Sequence, residues 1–209
     1  MVRVVLFLLA LSLVFAEAVC ANESLEKLTE TCKSCHNNKS EAMDFKGPQL
    51  GGFSDSYIMA QLQNFKSGRR GVGSPSANAM ANAVKDLSDS ELEEISEWAS
   101  SQESVQTLND RNNSDSEGET LYEEHCSGCH NGFFGRLMTG SPRLDYLDAD
   151  YIEQQLKFFA KDQRGFGEPD KHQLKMKVVA KKLAGQQTDR IVDYLRKERT
   201  SGNAEAVSK

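Results

Sequence analysis

The feature that most constrains this chain is that it repeats itself. Set against itself at an offset of 94 residues, Cys32 falls on Cys126, Cys35 on Cys129 and His36 on His130. The same offset pairs Pro48 with Pro142, Leu50 with Leu144, Tyr57 with Tyr151, Gln61 with Gln155, Phe65 with Phe159, Arg70 with Arg164 and Gly71 with Gly165. After two extra residues in the second copy the offset becomes 96, and Met80 meets Met176, Leu87 meets Leu183, Ile95 meets Ile191 and Trp98 meets Tyr194. Ordered matches of this kind mean a tandem duplication, so any fold must be built twice.

Each copy opens on Cys-x-x-Cys-His, as "CKSCH" and "CSGCH". Four such cysteines admit two disulfides, a zinc site built from two thiol pairs, or two redox-active Cys-x-x-Cys pairs. None of these needs a histidine directly after the second thiol. Covalent haem attachment does: thiols one helical turn apart reach the two vinyl groups of one porphyrin edge, and the next residue turns its imidazole to the iron. The expected cofactor is therefore haem c, covalently bound, two per chain, with Cys32, Cys35 and His36 holding one and Cys126, Cys129 and His130 the other. Large apolar residues are modest in number for two self-sufficient cores, and a buried macrocycle in each would supply the missing apolar volume.

Far-face ligation of the iron separates electron carriers from catalysts. Met80 and Met176 are the only methionines that pair between the copies, and each is followed by a leucine seven residues on. Met59 has no counterpart, while Met43 and Met138 lack one and also sit close to their histidines. His172, four residues before Met176, is the rival ligand in the second copy, where the first has Ser76; a surface histidine is the preferred reading. His125 receives no role. Pro48 and Pro142, twelve residues after their histidines, offer carbonyls to the second imidazole nitrogen. Arg70 and Arg164 are candidates to hold haem propionates, with solvated surface arginines as the alternative.

Helical spacing recurs in both copies and strand alternation in neither, so the fold class is all-α. Ile58, Leu62 and Phe65 form one stripe; Leu92, Ile95 and Trp98 form another, behind a capping-box pattern of Ser88 and Glu91. The domain reading is 1–21 signal peptide, 22–105 first domain, 106–117 linker, 118–200 second domain and 201–209 disordered tail. The signal peptide rests on Arg3, an apolar run from Val4 to Leu11, and small residues at Ala16, Ala18 and Ala21. That run is short for a membrane span, which needs about 20 residues. A lipid anchor at Cys20 is the weaker alternative. The expected location is the periplasm.

On these residues the chain resembles the tandem dihaem class I cytochromes c, most closely the cytochrome c4 family. The likeness is carried by the two haem motifs, "GPQL" against "SPRL", the "Y-I-x-x-Q-L-x-x-F" helices and the "M-x6-L" segments. It implies two pseudosymmetric cytochrome domains with His/Met haems and electron shuttling in the periplasm. The implied donor is a quinol-oxidising complex or dehydrogenase, and the implied acceptor a terminal oxidase or reductase. Asn37 and Asn131 stand where the family has glycine. The alternatives are a cytochrome subunit held tightly by a dehydrogenase, for example a flavocytochrome, and a dihaem enzyme with one open iron.

The net charge is −6. No nucleic-acid partner is expected, and a peripheral place at the membrane is allowed. Residues 22–105 carry 8 Lys and Arg against 13 Asp and Glu, whereas residues 119–209 carry 15 against 14. Lys175 and Lys177 flank the second methionine, with Lys181 and Lys182 close behind. This run suggests that an acidic redox partner docks at the second domain's methionine edge.

Overall fold

The structure, a computed structural model, describes residues 25–36, 47–70, 73–103, 116–144, 146–166, 171–183 and 185–197. The expected signal peptide, the segment around Met43, most of the linker and the tail lie outside these residues. All regular structure among them is helical. The first half has α1 (25–36), α2 (Asp55–Lys66), α3 (Pro75–Val84) and α4 (Asp89–Ser100). The second has α5 (Ser116–Tyr122), a π-helical turn (Glu123–Ser127), α6 (Gly128–His130), α7 (Phe133–Thr139), α8 (Ala149–Ala160), α9 (Lys171–Lys182) and α10 (Gln186–Lys197).

Local chemistry fixes several helix starts. Ser54 caps α2 by accepting from the Tyr57 amide at 3.2 Å, and Ser74 caps α3 from the Ala77 amide at 3.1 Å, with Pro75 inside the first turn. At α4 the capping box is complete: Ser88 Oγ accepts from the Glu91 amide, and Glu91 accepts from the Ser88 amide at 2.7 Å.

Packing follows the apolar stripes and repeats between halves. α2 packs on α3 and α4, as α8 packs on α9 and α10. Ile58, Leu62, Leu92, Ile95 and Ala99 are buried in the first half; Ile152, Leu156, Phe159, Leu183, Ile191 and Leu195 are buried in the second. α5 closes the second half by lying against α10, where Tyr122 and Tyr194 meet with ring centroids 5.7 Å apart. Trp98, expected in the α4 stripe, is only half-buried, and its ring lies under the Lys33 ammonium of α1 at 5.7 Å.

Three helices are not legible as such in the sequence. α3 carries Met80 among alanines and asparagines, and α9 carries Met176 among lysines. α7 presents Phe133, Phe134, Leu137 and Met138 to solvent, all at least 67% exposed. No helix among the described residues is long and apolar enough to cross a membrane.

Candidate haem sites

The two motif histidines are placed alike. His36 ends α1, and its Nδ1 lies 2.8 Å from the Pro48 carbonyl; His130 ends α6, with Nδ1 2.8 Å from the Pro142 carbonyl. A carbonyl can only accept, so Nδ1 carries the proton in both rings and the Nε2 lone pair is left for a metal. Burial pushes both imidazoles below the ordinary range. The proline carbonyls oppose this, and Arg70 and Arg164 respectively add to it. Each ring is therefore neutral at physiological pH, as a metal ligand must be.

The two copies seat the ring differently. In the first, a Cβ on Gly47 would stand 2.4 Å from His36 Cε1, so the bare glycine lets the chain cross the ring face. In the second the corresponding residue is Ser141. There Asn131, directly after the histidine, is held by its Oδ1 accepting from the buried Tyr122 hydroxyl at 2.5 Å.

No disulfide joins the four motif cysteines. Burial raises the Cys32 thiol; burial, aided by Cys129 and Glu123, pushes Cys126 up to about 12. Redox-active pairs need a lowered thiol pKa, and zinc needs thiolates. Among the described residues no three His, Cys, Asp or Glu side chains gather as a metal site. Burial thus favours the protonated form of Cys32 and Cys126 over the thiolate that a redox pair or a zinc site requires.

The second domain holds a cavity of about 310 Å³. Its walls bring together Cys126, His130, Pro142, Arg164 and Met176 from the second domain, with Tyr57 and Gln61 of α2 from the first. His125 and His172 line it as well, so neither is a simple surface histidine. Met80 occupies the equivalent place on α3, half-buried against the first domain's core. Met59 packs against the core and Met138 is exposed.

Arg70 and Arg164 are the clearest departure from the sequence reading. Neither is a solvated surface group: each is only 8% exposed. Their backbones form an isolated antiparallel bridge, and their side chains cross between domains. Arg70 donates to Gln61 at 2.7 Å, to Tyr151 at 3.0 Å and to Gln155 at 2.9 Å. Arg164 mirrors it, donating to Gln155 at 2.7 Å, Tyr57 at 3.2 Å and Gln61 at 3.0 Å. Each guanidinium also lies over its own domain's phenylalanine, Phe65 or Phe159. Burial, then repulsion from Arg164, lowers the Arg70 pKa. Burial alone would raise the Tyr151 phenol, but the two guanidiniums overcome it and hold it below the usual phenol range. Their hydrogen-bond partners are all neutral, so two cations are buried without a counter-charge among the described residues. Such a pair is costly without an anion.

Part of the lysine run is tied within the fold. Lys177 and Lys181 are bound within the second domain, both to Asp162, at 2.7 and 2.8 Å. That single carboxylate offsets one of the four lysine charges offered to a partner. Lys175 and Lys182 remain exposed.

Thiols one turn apart, a neutral buried imidazole with its Nε2 free, a thioether across a cavity and the buried Arg164 guanidinium in its wall suit a carboxylate-bearing metalloporphyrin. These features define an electron-transfer cytochrome of the c type, built of tandem domains. Residues 116–198 match the Cytochrome c domain family. Cytochrome c4 of Stutzerimonas stutzeri is 30% identical over 181 residues, covering 78% of this chain and 82% of that protein. Cytochrome c4 of Azotobacter vinelandii is 27% identical over 179 residues, covering 78% of this chain and 82% of its own length. The chain belongs to the cytochrome c4 family. Among solved structures, reduced recombinant cytochrome c4 from Pseudomonas stutzeri aligns with a TM-score of 0.62 at 27% identity, over 83% of this chain and 96% of that one. The as-isolated form of thiosulfate dehydrogenase (TsdBA) from Marichromatium purpuratum shares the fold at 20% identity, with a TM-score of 0.58 over 83% of this chain and 39% of that one.

Proposed function

We propose that the chain carries two c-type haems, one per domain, and shuttles electrons through them in the periplasm. Its donor on this reading is a quinol-oxidising complex or dehydrogenase, and its acceptor a terminal oxidase or reductase. Cys32 and Cys35, and Cys126 and Cys129, are the tethers; His36 and Met80, and His130 and Met176, are the axial pairs. The observation that carries this is the second-domain cavity, where Cys126, His130, Met176 and Arg164 converge. Bound haem supplies a one-electron couple at iron. The protein's own part is to hold the imidazoles by the Pro48 and Pro142 carbonyls, to close the far face with sulfur, and to offer buried guanidiniums to the propionates.

The test is an optical redox titration of purified protein, with the haem count read from its mass and pyridine haemochrome. Two haems are expected, with a near-infrared Met–Fe(III) band that loses about half its intensity in Met80→Ala and again in Met176→Ala. One haem, or a band unchanged in both variants, rejects the assignment.

A cytochrome subunit held tightly by a dehydrogenase is the second reading. It is favoured by α7, whose Phe133, Phe134, Leu137 and Met138 form an exposed apolar face directly after the haem motif. Size exclusion of native extract separates a free carrier from a bound subunit.

A further inference from the structure

Asp162 is the one non-glycine residue with positive φ among the described residues, at +56°. Its counterpart in the first copy is Gly68, at +71°, in the same turn: the amides of Gly68 and Asp162 donate to the carbonyls of Phe65 and Phe159. Glycine suits this left-handed position, and a Cβ on Gly68 would meet nothing within 4 Å. The second copy therefore holds a side chain where the backbone disfavours one. That side chain is fully engaged, with one carboxylate oxygen on Lys177 and the other on Lys181.

Lys177 and Lys181 are one turn apart on α9, and Met176 is next to Lys177. The same face rests on the loop again at Gly165, where an added Cβ would touch Gln173 and Lys177 at 3.4 Å. His172, Met176 and Val179 line the cavity, and Gln173, between the two faces, reaches it as well. Neighbouring helix residues point about 100° apart, so pinning residues 177 and 181 to the loop sets the rotation of α9 and with it the aim of Met176. Among the described residues the first copy has no such tie: Gly68 has no side chain to offer, and Ala77 and Ala81 of α3 stand in the repeat where Gln173 and Lys177 stand on α9.

We infer that Asp162 is a positioning residue that latches the Met176-bearing helix, so that the second domain's thioether is held against displacement while the first domain's is not. The inference rests on the His/Met reading above. It makes the two far-face positions unequal toward an added ligand, although their imidazole-to-proline contacts are matched.

The probe is imidazole, titrated into the oxidised holoprotein at low ionic strength while the near-infrared Met–Fe(III) band is followed. Two phases are expected, and Met80→Ala, which removes the easier one, assigns them. Asp162→Gly keeps a residue suited to the turn, so it folds. It is expected to move the harder phase to about three- to tenfold lower imidazole, the scale of two partly exposed ion pairs sharing one carboxylate. Lys177→Gln with Lys181→Gln should give the same shift, with no further change when Asp162→Gly is added. Molar salt should reproduce part of it in the unaltered protein, by screening. A harder phase that stays in place in Asp162→Gly overturns the latch, even if the melting temperature falls. Absence of the band from the unaltered protein overturns the ligation reading instead, and the latch with it.

Discussion

The two halves are alike where they touch each other and unlike where they face outward. At the seam, Tyr57, Gln61 and Arg70 on one side answer Tyr151, Gln155 and Arg164 on the other with the same bonds. The imidazole-to-proline contacts are equal, at 2.8 Å in both halves. The methionine-bearing helices have diverged. α3 is serine-capped, alanine-rich and uncharged; α9 is lysine-rich and tied to Asp162. Reciprocal contacts bind both copies to one solution, because changing either partner breaks bonds in both. A helix facing a single cavity is under no such bond, and there the copies were free to take different chemistry.

The largest test of this equivalence is in the cores. Ile95→Ala and Ile191→Ala each remove a buried side chain at matched positions, and each should cost about 2–5 kcal/mol in denaturant unfolding. Costs differing by more than about 1.5 kcal/mol would break the claim that the cores are equivalent. At the seam, Arg70→Met and Arg164→Met should each cost about 2 kcal/mol: three hydrogen bonds are lost, partly offset by relief of guanidinium repulsion. The double variant should cost less than the sum, and strict additivity would mean that the two arginines do not share a network. A smaller effect tests the helix starts. Ser88→Ala should cost about 1 kcal/mol, whereas Ser88→Gly, the residue type standing before α10, should cost only a few tenths.

The smallest effect is in pH. A buried imidazole whose folded pKa lies below the usual value of about 6.5 keeps its full contribution above that pH. The contribution is lost as pH falls through 6.5 toward the folded pKa, because the unfolded chain binds the proton better. The intact protein should therefore unfold at lower denaturant concentration at pH 5 than at pH 7, and His36→Gln and His130→Gln should each flatten that slope. A slope unchanged in both variants would assign it to other groups.

Much of the site was legible because its parts are local or doubled. The thiols and histidine sit within five residues, and the proline acceptors betray themselves by recurring twelve residues later in both copies. The stripes of α2, α4, α8 and α10 are ordinary amphipathic patterns. α7 was not legible, because its apolar residues face solvent and leave no stripe to read. α3 lacks large apolar residues apart from Met80 and Val84, so periodicity says little there. The seam was hidden by distance: Arg70 finds Tyr151 and Gln155 at separations of 81 and 85 residues. A signal existed nonetheless, since polar Gln61 and Gln155 recur at the repeat offset beside core leucines, where an ordinary buried face would have apolar residues.

The reciprocal seam has a consequence for how such a chain can be divided. A surface on which each half presents the same groups to the other is the surface of a twofold dimer, written into one polypeptide. The stretch joining the halves then supplies proximity, not recognition. Severed between residues 106 and 115, the pieces should still find one another in dilute solution, and a lone first half should pair with its own double.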